Sequence, residues 1–270
     1  MVSNGALAGM AVSAVISAAL PIGAWLAARR SVTVSVRNVV AGAVLFVLFA
    51  RGVEWVIFVC APRAAPPLNP WLLAHMPALA LYGAVVSGVV EETGRFLGLY
   101  YLARPRTDPG TPVAYAIGHG GAEAVIVGVI GVLGALLVSV LINTGQLDTT
   151  LGWYSKTTLF QMRGLEQATA QVMLLGAVER VCSFIFQIAL TLIVWRAVRT
   201  RAPWLFAAAV LAHVALNLPA WLAVTGLLRT PLWIYEGIYV IPALGLLAIF
   251  LIRLQPERPS ARAAARSFPL

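Results

Sequence analysis

Residues 112–141 read PVAYAIGHGGAEAVIVGVIGVLGALLVSVL. The run holds one charged residue, Glu123, and one histidine, His119, four positions earlier. A membrane-spanning helix needs about 20 predominantly apolar residues, so this stretch reads as a bilayer helix with two ionisable groups inside it. Such groups cost about 3 kcal/mol each on insertion scales and persist where they face one another or a wet cavity. The same i,i+4 signature recurs in two other apolar stretches, as Glu91/Arg95 and as His213/Asn217. Three polar pairs on three separate helices point to a site within the membrane.

The rest of the chain agrees. Its 270 residues are 60% hydrophobic and 11% charged, with a mean hydropathy of +0.88, an apolar share that no soluble core consumes. The fold class expected is all-α, a polytopic transmembrane helical bundle. Windows of about 20 apolar residues give about seven spans, at 5–27, 38–60, 71–102, 112–141, 168–198, 203–225 and 231–253. Together they make one integral membrane domain, 1–253, followed by a basic cytoplasmic tail, 254–270. The first stretch, Asn4 to Ala28, has no basic region before it and reads as a retained helix rather than a cleaved signal. Only the connection 142–167 is long enough for structure of its own, an interfacial hairpin or short helix with Trp153 and Tyr154 at headgroup level. Cys60 and Cys182 have neither metal-ligand spacing nor a disulfide framework and read as small hydrophobes.

A net charge of +9 in a soluble chain would imply nucleic acid, but here the excess lies in short loops and the tail. It reads as topology, and no nucleic-acid partner is expected. Cytoplasmic loops carry the Lys/Arg excess. The loops 28–37, 103–111 and 196–202 and the tail carry three, two, three and four basic residues; the alternate loops carry one (Arg63), two (Lys156, Arg163) and one (Arg229). This alternation predicts an outside N-terminus and a cytoplasmic C-terminus in a multi-pass cell-membrane protein. At about 1.5 Å per residue, Glu91, His119, Glu123, Gln187, His213 and Asn217 all lie about 10 to 21 Å from the cytoplasmic helix ends. Glu179/Arg180 and Arg51/Glu54 fall further out and are expected to form a second layer.

The residue types define the chemistry open to such a site. In Glu91-Glu92-Thr93-Gly94-Arg95, Glu91 and Arg95 share a helix face, so the guanidinium is expected to orient that carboxylate while Glu92 points about 100° away. Around His119, Gly118, Gly120 and Gly121 permit close backbone approach. Glu179, Ser183 and Gln187 form a polar stripe on the fifth span. His75 reads as interfacial, and Glu236, beside Trp233 and Tyr235, as a wet helix end. Amide hydrolysis needs a general base for water and donors for the oxyanion. Glu91 fits the base; His119, His213 and Asn217 fit the donors. Two histidines and a glutamate also fit a zinc ion with water in the fourth position. Residue types alone leave both mechanisms open.

The runs EETGR (91–95), GHGGAEA (118–124), ER (179–180) and HVALN (213–217) resemble the YhfC family of intramembrane metalloproteases. That family looks like a branch of the superfamily holding the CAAX-processing and bacteriocin-processing proteases (CPBP), the PrsW site proteases and the multispanning scaffold subunit of gamma-secretase. The resemblance covers about residues 71 to 225. In words, the superfamily's patterns are two glutamates and then a basic residue, matched by Glu91, Glu92 and Arg95; an aromatic followed four later by His or Glu, matched by Tyr115 and His119; and a His followed four later by Asn or Asp, matched by His213 and Asn217. A second register gives the acidic position to Glu123.

The resemblance implies a bacterial-type endopeptidase acting on membrane-embedded or membrane-proximal protein substrates. Glu91 would activate water with help from Glu92, and Arg95 would orient Glu91. His119 and His213 would be oxyanion donors or, with Glu91, ligands to one zinc ion, and Asn217 and Glu123 would complete the site. Glu179, Arg180 and Gln187 would stand behind it. Two other classes compete: a non-catalytic scaffold that binds partner helices, as the gamma-secretase subunit does, and an ion- or proton-coupled carrier, against which stands the lack of an inverted repeat.

Overall fold

The computed structural model describes residues 1–64, 68–104, 108–228 and 237–246. Among them there is no strand. Helix α1 (Asn4–Ala28) starts at Ser3, whose hydroxyl accepts from the Ala6 amide at 3.1 Å, a side-chain N-cap. Helices α2 (Val36–Phe46) and α3 (Glu54–Ala64) run on through a π-helical turn, Val47–Val53. Short α4 (Leu68–Ala74) precedes α5 (Met76–Leu97), which ends in a second π turn, Gly98–Leu102. Helices α6 (Gly110–Glu123) and α7 (Gly131–Asn143) are joined by a third, Ala124–Ile130. After α8 (Leu147–Thr150) and α9 (Lys156–Arg163) come the long α10 (Ala170–Thr200), α11 (Pro203–Val224) and the short α12 (Gly237–Leu246).

Among the described residues, five helical stretches are long and apolar enough to cross a membrane: Asn4–Ala28, Val36–Phe58, Gly110–Asn143, Ala170–Thr200 and Pro203–Val224. Their apolar side chains face outward. Although α11 is strongly apolar, only 11% of its membrane-length window is buried, while Ser17, Asn38, Glu92, Arg95, His119 and Thr191 are sealed inside. Polar inside and apolar outside is the arrangement a lipid solvent selects.

The expected third span, 71–102, is not continuous. It breaks at His75, which is exposed and stacked on Trp71 with ring centroids 4.7 Å apart. Pro77 at the start of α5 explains the break, since it lacks an amide proton and restricts the residue before it. Helix α5, which carries the three charged residues of Glu91–Arg95, is not among the five described stretches long and apolar enough to cross a membrane. Of the expected seventh span only α12 is described. The tail 254–270, Arg106, Arg229, Trp233, Tyr235 and Glu236 lie outside the described residues, as does the side chain of Arg63. The connection 142–167 holds α8, α9 and a 3₁₀ turn, Gly164–Gln167, with Trp153 and Tyr154 exposed.

The site is placed by three packings, α2 on α6, α5 on α11 and α1 on α10, with α10 also against α6. The first is the tightest. A Cβ on Gly118 would collide with the Val39 carbonyl, and one on Gly42 with the Tyr115 carbonyl, so backbone meets backbone where small residues replace a hydrophobic driving force. Gly118→Ala should therefore lower stability by about 1–3 kcal/mol in detergent unfolding. Gly134→Ala, where an added Cβ meets nothing within 4 Å, should be neutral or stabilising by up to about 1 kcal/mol. Equal effects at the two positions would contradict the backbone contact.

Candidate functional site

The three polar pairs do converge, with partners that spacing does not predict. Among the described residues, no hydrogen bond or ion pair joins the two members of any i,i+4 pair. Residues four apart on one face project together into the bundle, where other helices supply closer partners.

Arg95 of α5 is the hub, with its side chain wholly buried. Its Nη1 donates to Glu92 Oε1 at 2.8 Å. Its Nη2 donates to His119 Nε2 of α6 at 2.8 Å and also to the Gln187 carbonyl oxygen of α10. The expected pairing of Arg95 with Glu91 is thus replaced by an i,i+3 pair with Glu92. From α11, His213 Nδ1 donates to the same Glu92 Oε1 at 2.6 Å. One buried ion pair therefore ties α5, α6, α10 and α11 together.

Glu91 stands beside this pair and outside it. Its Oε2 lies 3.6 Å from His119 Nε2 and 3.9 Å from His213 Nε2, is buried, and has no hydrogen-bond partner among the described residues. Glu91 borders a cavity of about 120 Å³ with Glu123, Arg180, Gln187, His213 and Asn217. His119 sits behind it, boxed by Phe46 in an edge contact (5.1 Å) and by Tyr115 (6.2 Å).

Glu123 is the centre of a second cluster. It accepts from Ser183 Oγ at 2.6 Å, from Gln187 Nε2 at 2.6 Å and from Arg180 Nη1 at 3.3 Å. Gln187 joins the clusters, its amide group donating to Glu123 while its carbonyl accepts from Arg95. Glu179 lines the same cavity. Of the other expected outer pair, Arg51 lies over the Phe46 ring at 5.6 Å, and Glu54 accepts from Ser87 Oγ at 2.5 Å. Sequence reasoning missed Phe46 and the cavity-lining Tyr239 of α12. Both are aromatics in apolar runs, identical in pattern to lipid-facing neighbours.

Whether the site fits zinc turns on His119. Ligand atoms at about 2.0–2.1 Å on a tetrahedral zinc sit about 3.3 Å apart, close to the separations of Glu91 Oε2 from the two histidine nitrogens. A guanidinium is always protonated, so at 2.8 Å it donates to His119 Nε2 and occupies the lone pair that ligation needs. Glu91 and His213 remain, fewer than the three protein ligands of a catalytic zinc. Among the described residues no group of three or more His, Cys, Asp or Glu side chains is disposed to hold a metal ion. As arranged, the site does not fit zinc.

Removing Arg95 should be costly because it strands a buried carboxylate. Arg95→Met should destabilise by about 3–5 kcal/mol in denaturant unfolding of the detergent-solubilised protein, and by clearly less in a Glu92→Gln background. An equal cost in both backgrounds would mean that the pair is not coupled.

The family described as YhfC intramembrane metalloprotease matches residues 16–239. The chain is 27% identical over 231 residues to a Bacillus subtilis (strain 168) protein named "Uncharacterized membrane protein YhfC", an alignment covering 85% of this chain and 89% of that one. No solved structure matches. Outward apolar faces on five membrane-length helices and a match across most of its length make this chain a multi-pass membrane protein that belongs to the YhfC family.

Proposed function

We propose that the chain is an intramembrane endopeptidase whose water-activating base is Glu91. The observation that carries this reading is the different state of two adjacent glutamates. Glu92 has no exposed side-chain surface, and its Oε1 holds both Arg95 and His213. Each glutamate has an Oε2 with no hydrogen-bond partner among the described residues, but only Glu91 borders the cavity, with 11% of its side chain exposed. A structural ion pair needs one acid, and this helix provides a second.

In the reaction, a water in the cavity beside the Glu91 carboxylate gives a proton to it as the water oxygen attacks the scissile carbonyl carbon. The carbonyl electron pair moves onto oxygen, where the Asn217 amide, and the Nε2–H of His213 when both of its ring nitrogens carry a proton, would stabilise the oxyanion; both residues border the cavity. Collapse of the tetrahedral intermediate expels the amine, which takes the proton back from Glu91. Glu92 holds His213 through Nδ1, so the nitrogen facing the cavity is Nε2. Arg95 fixes Glu92 and His119 and is a positioning residue. A metal is implied by the family's description, but with Arg95 on His119 Nε2 the residues as arranged do not form a three-ligand zinc site.

The alternating loop charges support seven spans, with the N-terminus outside and the C-terminus in the cytoplasm. In that orientation the site lies slightly to the cytoplasmic side of the midplane and acts on protein substrates in or next to the bilayer.

The test is cleavage of single-span reporter proteins co-reconstituted in liposomes, followed by mass shift. Glu91→Gln should lower kcat by about 10³-fold or more, and Asn217→Ala by about 10²-fold, with unfolding midpoints retained. Undiminished cleavage by Glu91→Gln would overturn the assignment. Partner binding lost in the same variant, with no cleavage by the parent, would identify a scaffold.

A further inference from the structure

A second cavity, of about 220 Å³, lies between α1, the π turn that follows Glu123 and the first part of α10. Ser13 and Met10 line it from α1, Gly128 from the π turn, and Met173 and Gly176 from α10. Glu179 and Arg180 border both this cavity and the one beside Glu91, so these two side chains form the partition between them. Gly128 leaves the arginine its room: a Cβ there would collide with the Ser17 hydroxyl and lie 3.3 Å from Arg180 Cγ.

We infer that this outer cavity is the inlet for water to the site beside Glu91, leading past the Arg180–Glu123 ion pair. The inference rests on the reading of the inner cavity as hydrolytic, since hydrolysis in a bilayer consumes water that the surrounding lipid does not supply. Size selects the occupant. A water takes about 30 Å³ of liquid volume, so 220 Å³ holds several, whereas a helix about 10–12 Å across does not enter. Depth agrees, because Gly176 and Arg180 lie about 9 and 15 Å along α10 from its start.

The partition is built to yield. Arg95–Glu92 is closed at 2.8 Å with neither side chain exposed. Arg180–Glu123 is longer, at 3.3 Å, with 22% and 14% of the two side chains exposed. Ser183 and Gln187 hold Glu123 independently, so Arg180 can swing aside without stranding the carboxylate.

Thiol labelling tests the inlet whether or not hydrolysis is ever observed. In a chain carrying Cys60→Ala and Cys182→Ala, a single cysteine is placed as Gly176→Cys in the outer cavity or as Ala220→Cys in the inner one. A charged, membrane-impermeant methanethiosulfonate is then applied to oriented proteoliposomes on the side bearing residue 1. Both positions should react. Gly176→Phe, whose Cβ meets only Ser13 Oγ at 4.0 Å and whose ring fills the outer cavity, should slow labelling at Ala220→Cys by about tenfold or more, because thiol reactivity follows access. Gly176→Ala, the control for folding, should leave it unchanged. An inert Gly176→Cys that reacts only with an apolar maleimide would show a lipid-filled cleft and overturn the inlet. Undiminished Ala220→Cys labelling behind Gly176→Phe would show that the inner cavity opens elsewhere and would overturn it equally.

Discussion

The site depends on how one permanent positive charge is neutralised inside a bilayer. Arg95 cannot shed its proton, and its side chain has no exposed surface. Leaving it unpaired at that depth would cost several kcal/mol, a large share of a typical folding free energy of about 5–15 kcal/mol. It is held by Glu92, His119 and Gln187, and through Glu92 by His213. These partners come from α5, α6, α10 and α11, so neutralising one charge fixes four helices against one another. With Glu92 occupied in this way, the neighbouring Glu91 is left to face the cavity.

Lipid-exposed helices gain little from hydrophobic contact with one another, so this bundle relies on close backbone approach and on buried polar bonds. Gly118 serves the first need and the adjacent His119 the second. Two of the three described π turns fall next to these residues, one directly after Phe46, which packs on His119, and one directly after Glu123. A π turn adds a residue to the local turn and is frequent at functional sites. Here each lets an apolar helix rotate back to a lipid-facing register after presenting a residue to the interior.

Much of this was legible in the residues themselves. Charge and imidazole are so costly in an apolar run that Glu91, Glu92, Arg95, His119, Glu123, Gln187 and His213 could be picked out as interior groups, and the structure brings them together. Partnership was not legible. Spacing of four residues places Arg95 on the face of Glu91, yet the guanidinium bonds Glu92, because side-chain reach and the neighbouring helices decide which acid it meets. The break at His75 was legible only through Pro77, and the contributions of Phe46 and Tyr239 had no sequence signal to separate them from lipid-facing aromatics. The donor set alone favoured zinc and general-base chemistry equally. The separation rests on Arg95, which occupies a histidine nitrogen that zinc would need.

The most direct measurement is therefore the metal content of the purified, monodisperse protein by elemental analysis, compared with a His119→Ala/His213→Ala variant. A site in which Glu91 activates water unaided predicts zinc well below one per chain, unchanged in the variant, and cleavage that survives chelation. About one zinc per chain, lost with the two histidines, would show that Arg95 gives up His119 to a metal and would contradict the account.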